Sequence, residues 1–518
     1  MKHLYFILIL LSLTPLSADE IPYPSPYKIR TLYNSLNPKS ISQHLAFYQL
    51  YPGTAEGEES LKTAWALLSG SNQALNSHME TLPLKFSIIE SIINVVNKQS
   101  DSEVVLLSDE ELQVVNTLAS GLSNRGLRGH SVQTEAEVLQ LEPHQIDLAR
   151  GLFLSELGSS PEALRKLYSY EAMIDLIALQ ILVDVERNAS PKQKIKAINH
   201  FIFEDLGFRF PPHSLYAKDI DLYTFLPSVL DSRRGVCLGV SILYICLAQR
   251  LNLTLEMITP PGHIYVRYRD PVHNHIINIE TTARGIDMES DRYLSIETRS
   301  LQQRNIKEVI GLAHFNQAGA HWHKGDHEKA LEAYIKAQPY IPNDMLLAEL
   351  MGYAHLLSGN EAEGVLLLKQ VEHHLPDYAV AKDSMAQDYL NGNTDVEGIK
   401  AIFKPVDEKR TSVIEKREAL QKVVDRYPKF RSGVFSLGVA WLQLHREGEA
   451  LELLERYHRI EPNDPTAEYY LTVLYAERHD YNKAWEHFKQ TEKLVAERDH
   501  HPKVLKELRK QLSSIYPD

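Results

Sequence analysis

Ser232-Arg-Arg-Gly-Val-Cys237-Leu-Gly-Val-Ser241-Ile-Leu-Tyr244, with the Pro261-Gly-His263 that follows it, decides how this chain reads. Arg233-Arg-Gly235 is a turn, and from Cys237 onward Val240, Leu243, Tyr244, Leu247, Ala248 and Leu251 recur at helical spacing. Cys237 therefore falls in the first turn of a helix, where backbone N–H groups and the positive end of the dipole favour an anion and could help form an oxyanion hole. After the break at Thr259-Pro-Pro-Gly262, His263-Ile-Tyr-Val-Arg-Tyr268 alternates as a strand, with His263, Tyr265 and Arg267 on one face. A turn at Asp270–Asn274 gives a hairpin, and the return strand, His275 to Thr282, carries Asn278 and Glu280 on a shared face. In the simplest register Glu280 lies beside His263 and orients it, with Asn278 as the competing partner.

A cysteine at a helix start, a histidine at the first strand and an acid on the next resemble the transglutaminase-like superfamily of cysteine acyl-transfer enzymes. The resemblance covers roughly residues 165 to 300. It is carried by Leu226-Pro-Ser-Val-Leu-Asp-Ser-Arg-Arg-Gly-Val-Cys237, Gly262-His-Ile-Tyr-Val-Arg267 and Ile277-Asn-Ile-Glu-Thr-Thr282. The chain looks most like the bacterial branch that joins this domain to C-terminal tetratricopeptide repeats. The resemblance implies a papain-like α+β core in which Cys237 matches the nucleophile, His263 the base and Glu280 the third member. Glu280 stands where the superfamily more often has Asp, and keeps the carboxylate that accepts from the imidazole.

Cys237 and Cys246 are the two cysteines of the chain, nine residues apart on one expected helix. At 1.5 Å and 100° per residue they lie about 13 Å apart on opposite faces, well beyond the ~7 Å that a disulfide spans. Both are expected as free thiols, Cys246 buried among Leu243, Ile245 and Leu247.

At 518 residues the chain exceeds one hydrophobic core. A net charge of -13 without a basic run argues against a nucleic-acid partner. Residues 1–18 combine Lys2, an apolar run and small residues up to Ala18, the pattern of a secretory signal. The run is short and interrupted by Pro15, so no stable membrane span is expected beyond an uncleaved signal anchor. The chain is accordingly expected to be exported, as a periplasmic or secreted bacterial protein.

Residues 19–160 read as a helical domain, with a Pro-rich leader at Ile21–Pro26, a capping box at Ser108/Glu111 and a loop at Ser120–Gly129. Residues 161–305 hold the transglutaminase-like domain, where Ser190-Pro-Lys-Gln restarts a helix and an aromatic, Pro-rich loop runs from Phe208 to Tyr216. Residues 306–518 read as an all-α tetratricopeptide superhelix. Its 34-residue units start at Gly311, Met345, Arg431 and Pro465, with a degenerate repeat at 379–430 and a polar capping helix from Ala496. His321, His323, His327, His373, His374, His500 and His501 fall on helix surfaces or ends and are expected as solvated residues. No Gly-rich phosphate loop, HExxH or paired CxxC occurs, so no cofactor and no metal is expected.

The expected function is that of an exported cysteine acyl-transfer enzyme. It would hydrolyse or crosslink an amide bond through Cys237, His263 and Glu280, with the repeats recruiting a protein or peptide. The alternative is a periplasmic scaffold or binding protein that keeps the central domain for its shape alone.

Overall fold

The computed structural model describes residues 24–70, 86–185, 188–211, 223–407 and 409–517. The expected signal (1–18), part of the leader (Ile21–Tyr23) and much of the aromatic loop (212–216) lie outside the described residues. Among the described residues no helix is long and apolar enough to cross a membrane.

Two compact units divide the chain after Asn97. The first holds α1 (Pro26–Asn34), α2 (Ile41–Leu50), α3 (Ala55–Ser69) and α4 (Phe86–Val96). Ser40 and Thr54 cap α2 and α3 through their hydroxyls. The two helices close over Leu45, Phe47, Leu61 and Ala64, with His44 Nδ1 2.9 Å from Ser60 Oγ.

The second unit runs from Lys98, so residues 98–160 belong with the central elements rather than with the N-terminal helices. That differs from a helical domain closing near 160, and the reason is a buried polar network. Asp175 accepts from Arg250 Nε at 2.6 Å and also from Arg125, while Asp147 accepts from Asn124 at 2.9 Å. Arg150 grips Glu171 through two bonds of 2.6 Å. Residues 119–130, which span the expected loop, form three short 3-10 turns that carry Asn124, Arg125 and His130 into this network. Around them lie α5 (Asp109–Leu118), which has the Ser108/Glu111 capping box, α6 (Glu135–Leu139), α7 (Leu148–Leu157) and α8 (Pro161–Asp184).

Next come α9 (Pro191–Asn199), begun by Ser190 with Pro191 in its first turn, α10 (Leu226–Ser232) and α11 (Cys237–Arg250). Almost every residue of α11 after Cys237 is buried. Its first turn depends on Gly239, where a Cβ would lie 2.2 Å from the Tyr223 carbonyl oxygen and 2.8 Å from Val229 Cγ2. α11 packs on a five-stranded antiparallel sheet of order β4-β3-β2-β1-β5. The strands are β1 (Glu256–Thr259), β2 (Tyr265–Arg269), β3 (Ile276–Glu280), β4 (Ile286–Asp287) and β5 (Gln302–Arg304).

The segment 295–299, between β4 and β5, leaves the sheet and reaches the C-terminal helices. Val380 N donates to Glu297 O and Arg299 N to Tyr378 O, both at 2.8 Å, and His500 Nε2 donates to Ser295 O at 2.7 Å.

The C-terminal region is all-helical, as expected. Antiparallel pairs are α12 (Ile306–His323) with α13 (His327–Ala337) and α14 (Met345–Leu357) with α15 (Glu361–Val371). Gly352 and Gly364 let the second pair close, each lacking a Cβ that would crowd the other's carbonyl oxygen at 3.3 and 2.9 Å. α12 starts five residues before the unit start at Gly311 because Asn305 and Glu308 form a capping box. The degenerate repeat holds three helices instead of a pair: α16 (Met385–Leu390), α17 (Val396–Phe403) and α18 (Arg410–Arg426). Gly392, at φ +71°, ends α16 early, and Asp395 caps α17 at once. Then follow α19 (Arg431–Gln443) with α20 (Glu447–Ile460), α21 (Pro465–Glu477) with α22 (Tyr481–Ala496), and a capping helix α23 (Lys503–Ile515) that buries Leu505 and Leu512.

Candidate active site

Cys237 is the first residue of α11, partly accessible, and no side chain caps this helix. The backbone leading to it is pinned twice: Gly235 N donates to Arg209 O and Val236 N to Tyr223 O, both at 3.2 Å. Arg233, in the expected turn, holds the backbone here. It adopts the left-handed conformation that ends α10, and its guanidinium donates to the carbonyls of Leu206 and Lys98. Cys246 sits fully buried nine residues along the same helix, and both cysteines are free thiols. Burial pushes the Cys246 thiol well above its ordinary range.

His263 stands just before β2 rather than within it. Gly262 takes φ +72° and His263 N donates to Pro260 O at 3.1 Å, so the Pro-Pro-Gly turn aims the imidazole. β2 and β3 pair with Val266 opposite Ile279 and Arg267 opposite Asn278, which brings the end of β3 alongside this turn. The result is a hydrogen bond of 2.6 Å between His263 Nε2 and Glu280 Oε2. Cys237 lies close enough to act on the charge of the imidazole. The structure thus brings Cys237, His263 and Glu280 together in that order. Asn278 does not compete for the histidine: its side chain accepts from Arg267 at 2.9 Å and donates to Met288 O at 2.6 Å.

Two further groups in the site carry no sequence pattern that would single them out. Tyr293 donates its hydroxyl to Glu280 Oε2 at 2.6 Å, and its ring stacks between His263 (5.5 Å, 13°) and Tyr265 (4.7 Å, 18°). Thr282 donates to Glu280 Oε1 from its hydroxyl at 2.6 Å and from its backbone at 3.2 Å. The Thr signal is local, since a Thr two residues beyond an acid can close a turn back onto it. Thr281 fastens the acid strand to the cysteine helix, with its hydroxyl 2.9 Å from Ser241 Oγ.

Electrostatics follow from these contacts. Burial penalises the charged form of Glu280, but donors from His263, Thr282 and Tyr293 and the imidazolium charge outweigh it and hold the carboxyl down at about 2. Burial likewise opposes a charged His263, yet the hydrogen bonds to Cys237 and Glu280, with their charges, raise its pKa to about 9. Near neutral pH the arrangement therefore favours an imidazolium between two anion-forming groups. A histidine so held can keep a sulfur nucleophile ionised and can deliver a proton to a leaving group.

Residues 168–307 match the family model of the transglutaminase-like superfamily, and residues 417–465 match that of a tetratricopeptide repeat. The chain carries a transglutaminase-like domain followed by tetratricopeptide repeats. Among curated proteins it is similar to a tetratricopeptide repeat-containing protein of Pseudomonas aeruginosa, 27% identical over 175 residues. The match takes in 30% of this chain and 29% of that protein, so it spans less than a third of the relative's length. Among solved structures, the chain is similar to one described as the functional characterization of Pseudomonas aeruginosa pilF. There the identity is 15%, coverage is 41% of this chain and 86% of that one, and the TM-score is 0.23. It is also similar to MamA from Desulfovibrio magneticus, with 17% identity, coverage of 36% and 97%, and a TM-score of 0.19.

Proposed function

We propose that this chain is an exported thiol acyl-transfer enzyme that hydrolyses an amide bond in a protein or peptide. The observation that carries the reading is the 2.6 Å hydrogen bond of His263 to Glu280, with Cys237 acting on the same imidazole from an uncapped helix N-terminus. In the proposed reaction the Cys237 thiolate attacks the amide carbonyl, and the backbone N–H groups in the first turn of α11 receive the developing oxyanion. The C–N bond breaks as His263 passes its proton to the leaving amine, giving a thioester on Cys237. Neutral His263 then takes a proton from water, hydroxide adds to the thioester, and the C–S bond breaks to release the acid. Glu280 fixes the imidazole by its bond to Nε2 and stabilises the imidazolium; Tyr293 and Thr282 hold Glu280 in turn. The repeats, a fold that stacks into concave binding surfaces, would present the partner that bears the amide.

The test is labelling of the full chain with a thiol-reactive amide probe, read by mass spectrometry, followed by peptide-amide hydrolysis with the wild type and Cys237→Ala. The expected result is selective modification of Cys237 near neutral pH and loss of turnover in the variant. A Cys237 no more reactive than a small free thiol, with no turnover above Cys237→Ala, would overturn the reading in favour of the scaffold. Export is tested by fractionation, an exported product being expected outside the inner membrane.

A further inference from the structure

Far from Cys237 in sequence, three consecutive helices of the last repeats bring together His458 on α20, Glu468 on α21 and His487 on α22. Their candidate ligand atoms all lie within 4.8 Å of one another. Glu468 is fully buried, its side chain 1% exposed, and each of its oxygens meets a different imidazole. Oε1 faces His458 Nδ1 and Oε2 faces His487 Nδ1 at 2.7 Å. The two rings stand nearly perpendicular, 87°, with centroids 5.4 Å apart. Tyr475 stacks flat on His487 (5.5 Å, 3°) and fixes that ring.

A carboxylate taken out of water needs a compensating charge. Among the described residues Glu468 pairs with two imidazoles rather than with a lysine or arginine. Neutral imidazoles supply hydrogen bonds and no charge. The other cluster of similar composition, His130, Asp147 and Glu171, is supplied differently: Arg150 binds Glu171 with two bonds, and Arg125 lies 2.8 Å from His130 Nε2. A cation is built into that cluster and not into this one.

We propose that His458, Glu468 and His487 bind a divalent transition metal of the zinc class, which staples α20, α21 and α22 together. Two imidazole nitrogens and one carboxylate oxygen form a usual borderline ligand set. With metal–ligand bonds of about 2.1 Å in a tetrahedron, ligand atoms sit ~3.4 Å apart, a spacing reached by shifts of about 1 Å in a trio that already lies within 4.8 Å. His458, 35% exposed, marks the side from which the metal enters and where water completes the shell.

The test uses the full chain without an affinity tag, in a Cys237→Ala background that removes the accessible thiol. The protein is stripped with chelator, loaded with zinc or cobalt(II), and passed through gel filtration. The expected result is about one metal retained per chain, visible bands of non-octahedral cobalt(II), and a zinc-dependent rise of the unfolding midpoint. Glu468→Gln and His487→Gln should each weaken retention at least tenfold. Circular dichroism checks their folding, and the near-isosteric Glu468→Gln keeps the test open if the histidine variant unfolds. No stoichiometric retention, or retention unchanged by both variants, overturns the proposal.

Discussion

Replacing Glu280 by Gln keeps the size of the side chain and removes the charge that faces His263 Nε2 at 2.6 Å. His263 stands at about 9 against an ordinary 6.5. That difference corresponds to about 3 kcal/mol at 1.36 kcal/mol per pKa unit. Burial pulls the other way, so the Cys237 and Glu280 contributions together exceed the net rise. Assigning Glu280 about half gives roughly 2 kcal/mol, a thirtyfold change in the imidazolium equilibrium. The apparent pKa of His263 should then fall to between about 7 and 8. The assay is the rate of Cys237 alkylation by iodoacetamide from pH 4 to 10, read by mass spectrometry, with buried Cys246 as the internal unreactive thiol. Near pH 7 the variant should react about tenfold more slowly, and amide turnover should fall further, since orientation of the imidazole is lost as well. An unchanged profile and rate in Glu280→Gln would refute the assignment of Glu280 as the group that holds His263 charged.

Gly239→Ala should lower the unfolding midpoint and displace the Cys237 helix, because its Cβ meets the Tyr223 carbonyl oxygen at 2.2 Å; Gly448→Ala, with nothing within 4 Å, should be near neutral. Asp175→Asn leaves two arginines without their buried counter-charge and should cost about 3–5 kcal/mol, measured as loss of the midpoint in urea. A loss below about 1 kcal/mol would deny the network its structural role. Tyr293→Phe removes the bond to Glu280 and keeps the ring on His263, so amide turnover should fall only several-fold, and Tyr293→Ala should cost more; equal effects would show that the stack contributes nothing. Acid should weaken the unit from pH 4.5 downward. The depressed Glu280 contributes stability that is present above 4.5 and lost as pH falls through about 2, while raised His263 contributes stability present below 6.5 and lost as pH rises through about 9. The two share one ion pair, counted once at the roughly 2 kcal/mol assigned to Glu280 above, so its support is greatest between pH 4.5 and 6.5, and thermal melts across pH should show Glu280→Gln without that feature.

Much of the site was legible because its signals are local. A turn before an apolar helical repeat places Cys237 at a helix start, Pro-Pro-Gly aims His263, and the period-two pattern puts Glu280 on the right face. Choosing between Glu280 and Asn278 took three dimensions, because Asn278 is engaged by Arg267 and Met288. Tyr293 was invisible for a related reason: it lies on a short 3-10 turn with no periodicity, and only the packed sheet puts its ring on His263. The 34-residue register revealed the repeats where Gly352 and Gly364 close a standard pair. It missed the third helix at 410–426, since Gly392 and Asp395 reset the chain in the middle of a unit. Residues 19–160 read as one helical domain, and the tie of 98–160 to the central elements shows only where Arg250 and Asp175 meet Arg125 and their neighbours.

The segment 295–299 is anchored to Tyr378, Val380 and His500, and it begins two residues after Tyr293. The ring that braces His263 and Glu280 is thus moored to the middle and the far end of the superhelix at once. A chain cut after Arg304 would keep every residue of the site and lose the moorings of the strap that leads from it. The brace on the histidine and the packing of the superhelix therefore share one short length of chain.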